Sequence, residues 1–378
     1  MSGERRATVP INVGGVVVGG AAPISVQSMT KTQTEDISAT LREIEEAAAA
    51  GADIMRVTCD TKEAGIALKE IVKGSVLPLV ADIHYDAPLA LMALEAGVAC
   101  LRLNPGNITD AEKVKDIAAE AKARSVPIRI GVNSGSIPGR KEIARGRGES
   151  IDETVDRMVE AALHHIRILE ELDFRAIKVS LKASDVLTTV RANRAFAALG
   201  NRYPLHLGLT EAGPPETGSI KSAMALGILL AEGIGDTIRV SLVAPPPLEV
   251  KVGKEILANL QPAQSRPNLI ACPTCGRLEI NMMPMVQKVE AALQRVRRPI
   301  TVSVMGCVVN GPGEGMHADI GIAGGRQKGI FYKRGKVVAT LPEEELLATL
   351  LHELEVIAEE DAALLDAGKP LPVGLGEE

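Results

Sequence analysis

The chain has 378 residues, 46% hydrophobic and 24% charged, with a formal net charge of −6, no Trp, 3 Phe and 3 Tyr. This length suggests two or three domains, and a core limited to Val, Ile, Leu, Ala and Met suits parallel strands covered by helices. An acidic, aromatic-poor chain excludes bulk-charge binding of polyanions and base-stacking platforms, so no nucleic-acid partner is expected. The 5 cysteines are an odd count in a long chain, which argues against a disulfide framework and for a reducing compartment. The start, MSGERRAT, carries no apolar signal region, and no run reaches membrane-span length. The expectation is a cytoplasmic protein without membrane association.

In chain order, residues 8–20 alternate loosely around Gly14 and Gly15 and predict an N-terminal hairpin. A pattern then repeats: a short apolar run, polar residues, a segment of helical spacing. The runs lie at 23–29, 52–58, 77–84, 100–106, 127–133, 176–182, 204–210 and 237–243. Helical segments such as 36–51 and 111–125 fill the gaps, and Gly51, Gly97 and Gly233 act as stops. Eight such units, with no G-x-G-x-x-G after the first strand, predict a (β/α)₈ TIM barrel over 1–260 rather than a doubly wound sheet. The longest connection, 133–150, is Gly-rich and basic and reads as a lid or a disordered segment. A last barrel helix spans 244–260, and 261–267 reads as a linker. A smaller α+β domain follows over 268–378. It is expected to hold cysteine loops, a helix over 278–296, strands near 299–305 and 319–323, a hairpin over 328–341 and an acidic helix after Pro342.

Barrel enzymes place their chemistry at the C-terminal ends of the strands. Here the apolar runs are interrupted by Arg56, Arg102, Arg129, Lys182, His206 and Arg239. A lone buried cation is costly unless paired. Several converging on one mouth call for an anionic ligand, and Arg matches phosphate oxygens in bidentate fashion. Asp82, Asn104, Asn133, Glu211 and Ser241 supply polar neighbours, each alone reading more readily as a supporting or capping group. His84 and His317 read as surface or capping residues, and Cys59 and Cys100 as small core residues.

The remaining cysteines form a distinct pattern. Cys272 and Cys275 make a Cys-x-x-Cys pair in ACPTCGR, and Cys307 follows the strand-like PITVSVMG and opens a loop that ends in Glu314. Zinc and iron–sulfur clusters both accept such pairs. Three thiolates leave a fourth position for a weaker ligand or a substrate.

Together these stretches resemble the bacterial 4-hydroxy-3-methylbut-2-enyl diphosphate synthase family of the non-mevalonate isoprenoid pathway. The resemblance runs through VQSMT at 26–30, ADIMRV at 52–57, LVADIH at 79–84, LRLNPGN at 101–107, IRIGVN at 128–133, HLGLTEAG at 206–213, GIGDTIRVSL at 233–242, ACPTCGR and GCVVNGPGE. The loop at 134–150 and the C-terminal tail match less clearly. The resemblance implies a 4Fe–4S cluster held by Cys272, Cys275, Cys307 and Glu314. It implies a two-electron reduction of 2-C-methyl-D-erythritol 2,4-cyclodiphosphate, with ring opening and loss of a hydroxyl as water. Flavodoxin or ferredoxin would supply the electrons. Glu314 would be an exchangeable catalytic ligand, and Asn310 would hydrogen-bond the substrate oxygen taken up in its place. The expected substrate-binding residues are Arg56, Asp82, Arg102, Arg129, Asn133, Lys182, His206, Arg239 and Ser241.

Chain direction adds an expectation about assembly. Barrel helices run back from the mouth, so the helix ending near Leu260 delivers the chain to the opposite face. A linker over 261–267 reaches at most ~24 Å at ~3.4 Å per residue. A head-to-tail homodimer, each cluster domain serving the partner's mouth, is therefore expected, as the resemblance also implies. Two other readings share some features: a zinc-dependent or metal-free barrel lyase on a sugar phosphate, and an iron–sulfur scaffold protein.

Overall fold

The computed structural model describes residues 5–83, 86–103, 110–137, 150–260 and 266–375, and the chain divides into two units after Leu260. Asn104, His84, residues 138–149 of the long connection and residues 261–265 of the linker lie outside the described residues.

The expected hairpin is present as β1 (Ile11–Val13) and β2 (Val16–Val18). Its turn needs Gly14 twice over. The φ there is +58°, and a Cβ would lie 2.7 Å from Pro78 and 2.8 Å from Ala99. Those two residues immediately precede the barrel strands that begin at Leu79 and Cys100. The hairpin is thus pressed against the N-terminal ends of the barrel strands. Ile11, Val13 and Val18 pack there against Ile54, Val80 and Cys100, which floors the barrel with apolar side chains.

The eight expected strands follow in order. They are β3 (Ser25–Met29), β4 (Ile54–Thr58), β5 (Leu79–Ile83), β6 (Cys100–Leu103), β7 (Ile128–Asn133), β8 (Ile177–Lys182), β9 (His206–Leu207) and β10 (Thr237–Ile238). All pair in parallel, in the order β8-β7-β6-β5-β4-β3-β10-β9, and a bridge from Val179 to Leu205 closes the ring. The outer helices are α1 (Ile37–Ala49), α2 (Lys62–Gly74), α3 (Ala87–Ala96), α4 (Ala111–Ala123), α5 (Ile151–Glu171), α6 (Val186–Ala198), α7 (Pro215–Ala231) and α8 (Pro246–Leu260). Asp36, Thr61, Asp110, Ser150 and Asp185 cap five of them by accepting from first-turn amides.

Strand alternation then sorts the side chains. Met55, Val57, Leu101, Ile128, Ile130, Ile177, Val179 and Leu181 face the helices and join the main core. The alternate positions face inward. They include Gln27, Arg56, Asp82, Arg102, Arg129, Lys178, Ser180, Lys182 and His206, all 8% exposed or less. A barrel interior is ordinarily filled by branched aliphatic side chains. This one is filled above its floor by charge.

The second unit is a five-stranded sheet in sequential order: β11 (Asn268–Ala271), β12 (Thr301–Met305), β13 (Ile320–Ala323), β14 (Lys328–Lys333) and β15 (Lys336–Pro342). The first three are parallel, and β14 and β15 complete an antiparallel hairpin. Helices α9 (Met282–Leu293), α10 (Gly311–His317) and α11 (Glu343–Asp366) accompany it. Val289, Val302, Val304, Ile320, Ile322, Phe331, Leu346 and Leu350 form its core.

Three expectations change here. The first is β11, a strand of four residues whose apolar run is too short to read alone. The second is the helix expected over 278–296, which spans only Met282–Leu293 because a turn from Leu278 N to Cys275 O occupies its start. The third is the glycine-rich stretch after Cys307, which coils into α10. Pro312 sits in its first turn, where a missing N–H costs no intrahelical bond. Among the described residues no helix is long and apolar enough to cross a membrane.

Candidate active site

Sheet register explains how cations far apart in sequence become neighbours. Asp82 pairs with Arg102, Arg102 with Arg129, Arg129 with Lys178, and Asn133 with Lys182. In parallel strands, residues in register point to the same face. Arg102 Nη1 donates to Asp82 Oδ1 at 2.8 Å, and Arg56 Nε lies 3.6 Å from Asp82 Oδ2. Arg239, one residue beyond β10, lies 3.8 Å from Glu249. The rest of the ring is different. Nε and Nη1 of Arg129, Nζ of Lys178 and both ring nitrogens of His206 have no hydrogen-bond partner among the described residues.

This crowding perturbs the titratable groups. Burial lowers the His206 pKa well below its usual value, and Lys182, Arg129, Lys178 and Arg56 lower it further, so the imidazole is neutral. Burial, followed by Arg129, Arg239, Arg56 and Arg102, likewise weakens the hold of Lys182 on its proton. Lys178 is pushed down to about 8, chiefly by burial, with Arg129 adding to the effect and Cys100 opposing it. Arg129 is pushed down to about 9 by burial and Arg102, still high enough to remain a cation at neutral pH.

Two glycines make room for these side chains. A Cβ at Gly131 would lie 2.7 Å from Arg102 Nε. A Cβ at Gly208 would lie 2.3 Å from the Arg239 carbonyl oxygen and 2.8 Å from Lys182 Nζ. They are the glycines of IRIGVN and HLGLTEAG.

All six basic residues expected from sequence are brought together with Asp82. Asn133 ends β7 beside Lys182, and Ser241 lies just past Arg239 and is partly exposed. Two placements differ from expectation. Arg129 is the second residue of β7 and His206 the first of β9, neither at a C-terminal end. Barrel strands are tilted and staggered, so position along a strand does not translate directly into height. Sequence reasoning missed two residues. Lys178 shares the inward face with Lys182, four residues on, and alternation within AIKVSLK is the signal that finds it. Glu249 looks like an ordinary acid in a helix's first turn, and no local signal singles it out. Glu211 is exposed in the loop after β9, with φ of +53°.

The thiols gather at one edge of the second unit. Because β11 and β12 are adjacent and parallel, their C-terminal ends emerge together. Cys272 follows β11 and donates its amide to Val304 O at 3.1 Å, while Cys307 lies two residues past β12. Glu279 N donates to Gly306 O at 3.0 Å, stitching the Cys-x-x-Cys segment to the Cys307 segment. Within the turn, Thr274 takes φ of +67°, a strained choice for a β-branched residue and one common at functional sites. Glu314 sits in the first turn of α10, its amide donating to Asn310 O at 3.1 Å. Cys272, Cys307 and Glu314 are partly exposed, and Cys275 and Asn310 exposed. All five cysteines are free thiols. Burial raises the pKa of Cys59 to about 12 and also raises that of Cys100, and the accessible thiols are the three at this edge. Among the described residues no three His, Cys, Asp or Glu form a cage for a metal ion. His317 is exposed, as expected.

Known proteins share both units. A family model described as the GcpE TIM-barrel domain matches residues 8–254, and one described as the GcpE protein C-terminal domain matches residues 268–356. The chain is 50% identical over 356 residues to the 4-hydroxy-3-methylbut-2-en-1-yl diphosphate synthase (flavodoxin) of Magnetococcus marinus, covering 94% of each chain. It is 47% identical over 366 residues to the Bacillus subtilis enzyme of the same name, covering 97% of this chain and 96% of that one. Among solved structures, Yersinia pestis dihydropteroate synthase is similar at a TM-score of 0.49 and 13% identity, covering 67% of this chain and 97% of that chain, too remote to carry weight. With a match to each of its two units and near 50% identity over almost its whole length, the chain belongs to the GcpE family.

Proposed function

We propose that this chain is an oxidoreductase, a 4-hydroxy-3-methylbut-2-en-1-yl diphosphate synthase. In this reading it opens the ring of 2-C-methyl-D-erythritol 2,4-cyclodiphosphate and removes a hydroxyl with two electrons delivered through a 4Fe–4S cluster. The names of the relatives support the product. The observation that carries the substrate is the barrel interior, where buried cations outnumber carboxylates and Arg129 and Lys178 have side-chain nitrogens without a hydrogen-bond partner among the described residues.

A small cyclic diphosphate offers many oxygens in little volume. Arg56, Arg102, Arg129, Lys182 and Arg239 surround it with charge-assisted donors, each contributing ~1.5–3 kcal/mol. Asp82 plays the complementary part of holding Arg102 and Arg56 in place. Neutral His206 donates one N–H without adding charge, and Asn133 and Ser241 supply uncharged donors.

The thiol edge fits a 4Fe–4S cluster by the chemistry of its donors. Cys272, Cys275 and Cys307 are free and accessible, and Glu314 lies one short helix start away from Cys307. Ligands to a multi-iron cluster would be shared among its irons and need not form a cage around one ion. The bound cluster would supply single electrons at low potential, which zinc does not. Cys272, Cys275 and Cys307 would hold the cluster through thiolates, and Glu314 would add a harder, more labile carboxylate. Asn310, exposed and four residues before Glu314, would donate to a substrate oxygen in this reading.

Flavodoxin, which the relatives' names specify, is the donor we assign, with ferredoxin as the chemical equivalent. We assign the meeting of mouth and cluster to a head-to-tail homodimer, supported by the direction of α8 away from the strand ends. Five free thiols support a reducing, cytoplasmic setting. Anaerobic purification tests the reading: about four irons and four sulfides per chain are expected, with turnover of the cyclodiphosphate by reduced flavodoxin. Zinc in place of iron, or a loaded cluster without turnover, would overturn it.

A further inference from the structure

Arg239 and Ser241 lie beyond β10, a strand of only two residues, so sheet pairing alone holds this segment weakly. A carboxylate does the rest. Glu249, in the first turn of α8, is 1% exposed. Its Oε1 accepts from Leu242 N at 2.9 Å and from Lys31 Nζ at 3.1 Å. Its Oε2 accepts from Ser28 Oγ at 2.7 Å and lies 3.8 Å from Arg239 Nη2. Lys31 is saturated as well, since its remaining N–H groups go to the carbonyls of Leu242 and Ala244. Lys31 is therefore a staple and no free cation of the mouth. Through Glu249 the end of β3 is tied to the whole β10–α8 connection.

Lys31, Ser28 and Leu242 already satisfy this carboxylate, so Arg239 is not needed to make its burial tolerable. The 3.8 Å separation is also too long for a hydrogen bond. Glu249 attracts the guanidinium without consuming its N–H groups, and Arg239 Nε has no partner among the described residues. The negative charge of Glu249 also opposes the effect of burial on Arg239.

We propose that Glu249 is a positioning residue for the anionic substrate: it aims Arg239, and the segment bearing Ser241, into the barrel mouth while leaving the N–H groups of Arg239 to the diphosphate. This rests on the reading of Arg239 as a substrate-binding cation, and the test separates the two.

The test is a double-mutant cycle on the full-length protein, with inorganic pyrophosphate as the probe and calorimetric affinity as the readout. Glu249→Gln is expected to weaken binding about tenfold in the wild-type background and less than about twofold in an Arg239→Met background. Equal losses in both backgrounds would make Glu249 a merely structural residue and overturn the inference, as would no loss in the wild-type background. If Arg239→Met itself leaves pyrophosphate affinity unchanged, the reading of Arg239 fails first, and the inference falls with it. Should Glu249→Gln fold poorly, Lys31→Met/Glu249→Gln removes a buried anion together with its cation, and the same cycle is run against Lys31→Met. There too, an undiminished loss without Arg239 overturns the inference.

Discussion

Two buried arginines of this molecule share a residue type and a depth but not a role. Arg298, in the second unit, is 3% exposed and fully answered. Its Nε bonds Asp361, its Nη2 donates to Glu360 at 2.9 Å, and Asp361 also accepts the amides of Arg297 and Arg298 at 2.8 and 2.9 Å. Arg129, in the barrel, is 1% exposed and shares its surroundings chiefly with other cations. Packing and desolvation act on both alike. The difference is the counter-charge: the fold supplies it in full for Arg298, whereas for Arg129 the proposed anionic ligand would supply most of it.

The largest effect separates the two units by function. A chain carrying Arg129→Met and Arg239→Met and a chain carrying Cys307→Ala should each be inactive. Co-expressed, they should regain turnover if one chain's barrel works with the other's cluster. Mixed dimers that stay dead, beside active wild-type dimers made the same way, would sink the head-to-tail assembly.

Next is the answered arginine. Arg298→Met leaves Asp361 buried without its cation and should destabilise the protein by about 3–5 kcal/mol. Denaturant unfolding of the second unit, followed separately from the barrel, measures this. A loss under ~1 kcal/mol would remove the contrast with Arg129.

Lys178 tests the unanswered side through pH. Its folded pKa of about 8 lies below the ordinary 10.5 of an unfolded lysine. Below about pH 8 the amine is charged in both states, and burial penalises the folded one in full. Between the two values the unfolded chain holds a proton that the folded chain has released, so this group's contribution to stability rises with pH. Lys178→Met should therefore be more stable than wild type near neutrality by roughly 3 kcal/mol, an advantage that shrinks toward pH 10. Parallel melting curves at the two pH values decide it, and a pH-independent gap would refute the assignment.

The smallest expected change is in affinity. Arg129→Met should lower pyrophosphate affinity about ten- to a hundredfold, equivalent to ~1.5–3 kcal/mol, with no loss of melting temperature. The reverse pattern would make Arg129 a structural cation like Arg298.

Much of this was legible in the sequence, for stated reasons. Eight apolar runs separated by helical spacing mark the strands, and an arginine inside such a run is conspicuous because its burial is costly. Gly51, Gly97 and Gly233 mark helix ends, and each takes a positive φ. Other features depend on tertiary structure. Glu249 meets Ser28 across 221 positions of sequence, and only closure of the barrel makes them neighbours. Lys178 is recognisable once strand phase is known, because phase decides which of its alternating residues face inward. The strand β11 gains its identity from pairing with β12, and α10 from a chain direction that Gly311 and Pro312 obscure.

The hairpin that floors the barrel has a kinetic consequence. With Ile11, Val13 and Val18 packed beneath the strands, the interior is a cul-de-sac. Whatever enters past the cations must leave by the same doorway, so the proposed substrate and product would share one route. Traffic is then one in, one out, and the departing molecule competes directly with the arriving one. Accumulated product should slow this protein as a competitive inhibitor, tying its throughput to how quickly the next step clears the doorway.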